Sequence, residues 1–354
     1  MDIECASCSR YACQVGRLDA TPDDCPMRGP FPSFDELYAT DEAKRLLYQA
    51  ARVEAEGYGR WTRIREVAEL ALRMRYRRLG VAGCPDMGLE ADLAARSLRR
   101  RGLEVIVAAP FADCDPVGQA ALLAEERTHL NVIAGMCVGH DALFIRHSRA
   151  PVTSLVVRDP RLAHNPAAAL YTRDGYLKRA LYGVREPPVP GRFDGWTDEL
   201  IDGLAREVRD AGLGRETPPC RIEEVMDFAR GAGVTHLGVV YCVGFRREAR
   251  DLDAILETNG FRVSSSCCKT GAVPKTTVGI KDEEQVEPGR PEMICNPLAQ
   301  ASLLEQAGVE LVLLMGQCTG HDSATMAHLH VPAVCVVAKD RVLAHNTVAA
   351  LYGS

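Results

Sequence analysis

The sequence predicts an α/β protein: two tandem Rossmann-like parallel-sheet domains, preceded by an N-terminal cysteine-rich metal-binding knot and joined by helices. Three observations predict it. Residues 135–171 (GMCVGHDALFIRHSRAPVTSLVVRDPRLAHNPAAALY) align without a gap on residues 316–352 (GQCTGHDSATMAHLHVPAVCVVAKDRVLAHNTVAALY), the mark of an internal repeat. Within each copy, short β-branched runs alternate with helical patterns, which calls for parallel strands covered by helices on both faces. Ahead of both copies stand four closely spaced cysteines, Cys5, Cys8, Cys13 and Cys25.

The knot comes first, at residues 1–33. Its spacing is C-x2-C-x4-C-x11-C. A CxxC pair brings two thiolates onto one ion within a single turn, and two further cysteines close a tetrahedral shell. The Cys25-Pro26 ending is shared with runs that bind iron–sulfur clusters. Residues 34–76 follow as a helical segment (DEAKRLLYQAARVEAE, then RWTRIREVAELALRMR).

Residues 77–171 form the first α/β repeat and 221–354 the second, separated by a helical linker at 172–220 with its helix at WTDELIDGLAREVRDAG. The offset between copies is 181 residues as far back as Cys114 and Cys295. Upstream it falls to 158, where RLGVAGCPD pairs with HLGVVYCVG. The second copy therefore carries a 23-residue insertion between Val263 and Cys295, containing SSSCCKTGAVPKT. Its elements read as strand LGVVYC, helix EARDLDAILETNG ending at Gly260, strand FRVSSSCC and helix NPLAQASLLEQAG. Strand VELVLLMGQC, a helix from His321, strand AVCVVAKD and a last helix from Asn346 complete it. Asp115-Pro116 and Asn296-Pro297 suit an N-cap followed by a first helical position, since proline lacks the N–H that would go unpaired there.

Composition excludes several classes. At 47% hydrophobic and 25% charged, 354 residues suffice for two cores, and a net charge of −6 argues against nucleic acid as a partner. No apolar run reaches the roughly 18 residues of a membrane span, and no leader pattern opens the chain, so it is expected to be soluble and cytoplasmic. Fourteen cysteines in a reducing compartment point to metal or thiol chemistry rather than a disulfide framework. Cys335, inside AVCVV, is expected to be core packing.

The topology gathers the unusual residues. Cys242, Cys267, Cys268 and Cys318 end strands, Cys295 precedes a helix, His321 and Asp322 open one, and Lys339 and His345 follow the last strand. All fall at the carboxyl edge of a parallel sheet, where ligands bind in open α/β folds. The first copy keeps Cys84, Cys114, Cys137, His140, Asp141, Arg158 and His164, but has no counterpart of the Cys267-Cys268 pair. The eight crevice cysteines are the expected cofactor ligands. His321, His345, His140 and His164 are candidate proton carriers or ligands, Lys339 a partner for an anionic group, and Asp322 an imidazole-orienting or helix-capping residue. His129, His147, His236, His328 and His330 are expected to be structural or surface residues.

The knot, together with YCVG (241–244), CCKTGAVPK (267–275), ICNPLAQA (294–301), GQCTGHD (316–322), KDRVLAHN (339–346) and ALY (350–352), resembles the family named domain of unknown function 1847. The resemblance implies a cysteine-rich, metal-binding protein and brings no settled reaction with it. Residues 63–171 look like a second copy that lacks the CCK segment.

Three readings follow. The first is an iron–sulfur protein, with a [4Fe–4S]-type cluster in the crevice acting on a small molecule as lyase, reductase or desulfidase, and an electron-transfer protein as a possible partner class. The second is a non-catalytic zinc-binding module or redox and metal sensor. The third is metal-free Cys318–His321 thiol catalysis such as sulfur transfer. Thiolate-rich sites suit zinc and iron–sulfur centres alike. No Walker A pattern, Rossmann glycine fingerprint or HExxH motif supports ATP, dinucleotide or zinc-protease chemistry.

Overall fold

The computed structural model describes residues 3–29, 31–108, 114–183, 185–191 and 193–353. It is an α/β fold with two four-stranded, all-parallel sheets. The first sheet holds β1 (Arg78–Ala82), β2 (Glu104–Val107), β3 (Leu130–Ala134) and β4 (Val152–Val156), in the order β2-β1-β3-β4. The second holds β5 (His236–Tyr241), β6 (Arg262–Cys267), β7 (Leu311–Met315) and β8 (Ala333–Val337), in the matching order β6-β5-β7-β8. In each, the strand order changes direction between the first and third strands, which puts the topological switch point at the carboxyl ends.

Local chemistry explains the helices that aim residues at that edge. Asp115 and Asn296 cap their helices by accepting from the N–H groups of Gly118 and Ala299. Pro116 and Pro297 occupy the first turn, so Cys114 and Cys295 sit immediately before rigid helix starts. The last helix begins at Ala349 rather than at Asn346, because Ala344 and His345 turn the chain through the left-handed region (φ 48° and 68°).

The two halves are interlocked. The helix Arg63–Met74 precedes the first sheet, yet Arg63 donates to the Gln317 carbonyl (2.9 Å) and the Asp322 carboxylate (2.5 Å) of the second half. Its third donor reaches the Ser154 carbonyl (3.2 Å). Arg221, opening the helix Arg221–Ala232, repeats the pattern in reverse, donating to Met136 O (2.9 Å), Asp141 (2.6 Å) and Cys335 O (3.0 Å). Both guanidiniums are 1% exposed, so these are buried charges that need their partners. Each leading helix thus packs on its own half, while the arginine at its start reaches into the other, a link that the sequence division into consecutive segments does not display.

The knot is a chain of 3-10 turns seated on the edge of β6. Ser265 N donates to Ile3 O (2.5 Å), and Ala6 N donates to Ser265 Oγ (3.0 Å). Among the described residues, no helix is long and apolar enough to cross a membrane.

Candidate metal centre

Two cysteine–histidine groups lie at the carboxyl edges, one in each half, and they differ in size. In the first half, Cys84 follows β1, Cys137 caps the helix Val138–His147, and His140 stands in its first turn. The ligand atoms of Cys84, Cys137 and His140 all lie within 4.8 Å of one another, an arrangement able to bind a metal. Cys114 Sγ is 3.0 Å from Cys84 Sγ, and His140 Nδ1 is 3.9 Å from it. All four residues are buried, His140 completely. The linker helix Asp198–Leu213 brings Asp202 to 3.4 Å from His140 Nε2, outside hydrogen-bond direction but where a carboxylate can steady a ligating imidazole.

In the second half, Cys242, Cys268, Cys295, His321 and Cys318 form a closed ring in which each group neighbours the next. Among the described residues, only the first-half triad has its ligand atoms within 4.8 Å of one another, so the ring is the wider of the two groups. Its thiols are 4% exposed or less. His321 is 2% exposed, and its Nε2 makes no hydrogen bond.

Cations surround this ring. Lys339 Nζ lies 2.6 Å from Cys242 Sγ, Arg341 Nη2 3.2 Å from Cys318 Sγ, and Lys269 Nζ 3.5 Å from Cys295 Sγ. Across the site, the first-half helices supply Glu54, which accepts from Arg341 (2.7 Å), and Glu66, which accepts from Thr319 (3.1 Å). The first half lacks counterparts of Lys269, Arg341 and Glu54; there Arg158 pairs with Asp86 at 2.6 Å.

The electrostatics follow from this crowding. A hydrogen bond from Cys268 holds the Cys295 thiol well below its ordinary value; burial opposes that, and Lys269 and His321 assist it. Burial lowers the His321 imidazole, but the Cys295 and Cys318 thiolates outweigh it and raise the group to about 10. Burial lifts the Glu66 carboxyl to about 7 despite Arg341. Such displaced titrations cluster where chemistry is done.

Several sequence expectations change here. Cys267 does not face the crevice: side chains alternate along an extended strand, so its thiol lies against Cys13 and Cys5 of the knot. Asp322 does not orient His321. One oxygen accepts from Gly320 N and Ser323 N, and the other takes Arg63, Thr153 and Ser154 N. His345 lies tilted against Phe245 (ring centres 4.3 Å apart, planes at 47°), and its Nδ1 accepts from Asp340 N (3.3 Å). Burial, then Lys339 and Arg341, press it down to about 4, leaving a neutral ring beside the site. His164 repeats this contact with Asp159 N at 3.2 Å. Cys5, Cys8, Cys13 and Cys25 line one small cavity in the knot.

Sequence reading missed Glu54, Glu66, Arg341, Lys269 and Asp202. Lys269 and Arg341 stood inside quoted motifs, next to Cys268 and Lys339. The three acids lie on helices outside the strand-end pattern, and no local signal marks them.

Comparison with known proteins places the chain. The profile of a protein of unknown function, DUF1847, matches residues 31–110, 108–155 and 198–336. The chain belongs to this family. The uncharacterized protein MJ0455 of Methanocaldococcus jannaschii is 32% identical over 200 residues, 51% of this chain and all of that protein. Among solved structures, PH1733, an aspartate racemase homologue from Pyrococcus horikoshii, matches at 14% identity and TM-score 0.20, covering 78% of this chain and 98% of its own. An ornithine carbamoyltransferase from Burkholderia thailandensis matches at 11% and 0.21, covering 86% and 81%. At those scores neither structure carries an argument. Within the DUF1847 family, this chain pairs a compact Cys/His group in one half with a wider, cation-lined ring in the other.

Proposed function

We propose that this protein is a metal-dependent enzyme whose second-half ring holds an iron–sulfur cluster, at which a small anionic molecule is activated. The ring carries this reading: four thiols and a histidine arrive from three strand ends and two helix starts, more widely spread than the ligands of a single ion. A tetrahedral zinc with Zn–S of about 2.3 Å needs its sulfurs about 3.8 Å apart, whereas a cluster distributes its thiolates over separate irons. The buried, unpartnered His321 Nε2 supports a bound group at this point, since an orphan ring nitrogen is costly in a dry site.

When bound, a cluster with an open iron supplies a Lewis acid or a source of electrons. The residues around it do the rest. Lys339 and Arg341 offer donors to a carboxylate or phosphate on the substrate, Arg341 in a planar fork. Glu66, which accepts from Thr319 and lies 3.5 Å from Arg341, is a buried carboxyl raised to about 7 and the candidate proton carrier of the site. The helices carrying Glu54 and Glu66 close the site against water.

A second reading applies to the first half alone. The compact spacing of Cys84, Cys137 and His140, with Cys114 beside them, favours a single ion such as zinc.

Anaerobic purification followed by counting iron, acid-labile sulfide and zinc tests both. The expected result is broad absorption near ~400 nm with about four irons and four sulfides per cluster. A colourless protein holding only zinc would sink the iron–sulfur reading.

A further inference from the structure

Cys267 and Cys268 are chain neighbours that serve different places. Cys268 Sγ accepts from Val243 N (3.2 Å) and belongs to the ring, between Cys242 and Cys295. Cys267 points the other way. With Cys5, Cys8, Cys13 and Cys25 it lines a cavity of about 30 Å³ whose walls are otherwise almost wholly apolar. Five thiols converging on one small space have no packing reason to do so, because methyl-bearing side chains would fill it without polarisable sulfur.

The knot is held firmly enough for this to be a fixed relationship. Besides the Ser265 contacts, the Tyr11 and Tyr241 hydroxyls meet at 3.3 Å, and Arg250 donates to Ala6 O at 3.3 Å. Exposure is graded across the junction. Cys5, Cys8, Cys13 and Cys25 are part-exposed, whereas the ring thiols are buried beneath helices of the other half. A protein-sized carrier can therefore approach the knot and not the ring.

We propose that the knot is the electron-entry site of this protein. In this proposal Cys5, Cys8, Cys13 and Cys25 hold an iron–sulfur centre, Cys267 forms its inner wall, and the Cys267–Cys268 peptide is the covalent link to the ring. The inference rests on the iron–sulfur reading of that ring. The donor is a reduced low-potential carrier of the iron–sulfur or flavin class. It loses one electron, the knot centre gains and then passes on that electron, and the ring centre is reduced by one. No bond forms or breaks in the transfer. Lys269, Lys339 and Arg341 favour the more negative, reduced state of the ring, which draws electrons inward.

The full chain, reconstituted anaerobically, tests this with dithionite as reductant. Electron paramagnetic resonance of the reduced wild-type protein should show two paramagnetic centres broadened by each other. Cys13→Ser, or Cys8→Ser should the first variant fold poorly, should lose one centre and sharpen the other. Bleaching of the remaining absorption near ~400 nm should slow at least about tenfold with a reduced flavin protein as donor. Two centres without mutual broadening, or equal bleaching rates in wild type and variant, would overturn the relay alone. Iron and sulfide sufficient for one cluster only, and lost in Cys13→Ser, would overturn the ring reading and the relay with it.

Discussion

Arg63 and Asp322 are separated by 259 positions in the chain and meet at 2.5 Å in a pocket that leaves each side chain no more than 3% exposed. The same carboxylate oxygen accepts from Thr153 Oγ1 at 2.7 Å, so three segments converge on it. Arg221 and Asp141 repeat the geometry at 2.6 Å. These two pairs bolt the halves together directly beneath the GHD turns that present His321 and His140.

Breaking either bolt should be severe. Arg63→Met leaves the Asp322 carboxylate buried without its charge partner, a change that costs about 3–5 kcal/mol. Urea unfolding should show this loss, and Arg221→Met should match it. The double variant Arg63→Met with Asp322→Leu should cost less than the two single changes added together, because it leaves no orphan charge.

Metal content should separate the two halves. Cys318→Ser should lower iron and sulfide and leave a zinc equivalent in place. Cys84→Ser should do the reverse, with the absorption near ~400 nm unchanged. Elemental analysis of both purified variants decides the matter, and a parallel loss of both metals in either one would contradict independent sites.

In metal-free protein, one thiolate should persist well into the acid side of neutrality. The Cys268 hydrogen bond, Lys269 and His321 all favour ionised Cys295. Thiolate ultraviolet absorbance, followed from pH 9 downward, should retain one low-pH step that Cys295→Ser abolishes and Lys269→Ala moves upward. This differs from the expectation that Cys318 would be the activated thiol.

Asp253 sets a pH dependence on stability. Burial raises its carboxyl to about 7, with Ser265 opposing and Glu257 and Glu4 adding to it. Its folded value lies above the unfolded value of about 3.9, so the folded state holds the extra proton. Stability is therefore greatest below about pH 4 for this group and declines as pH rises through about 7. Asp253→Asn should raise Tm at pH 8, by about 1–3 kcal/mol in unfolding free energy, and change little at pH 4. An equal gain at both pH values would show that ionisation is not the cause.

Much of this architecture was legible before any coordinates. The gapless match of 135–171 to 316–352 required two similar halves, and the β-branched runs required parallel strands, because a side-chain period and a connection length leave few alternatives. From strand ends, the gathering of Cys242, Cys295 and Cys318 followed as a topological consequence. Cys267 was misplaced for want of one fact, the direction its strand presents to the knot.

The chain alone determined the fold class, the duplication and the cysteine-rich strand ends, since periodicity and spacing are properties of local sequence. Tertiary packing alone decided that Arg63 and Arg221 reach from one half into the other, that Glu54 and Glu66 roof a site belonging to residues more than 170 positions away, and that one half's ligands draw close while the other's stand apart. Those outcomes depend on which buried charges find partners across the molecule, and no window of neighbouring residues contains that information.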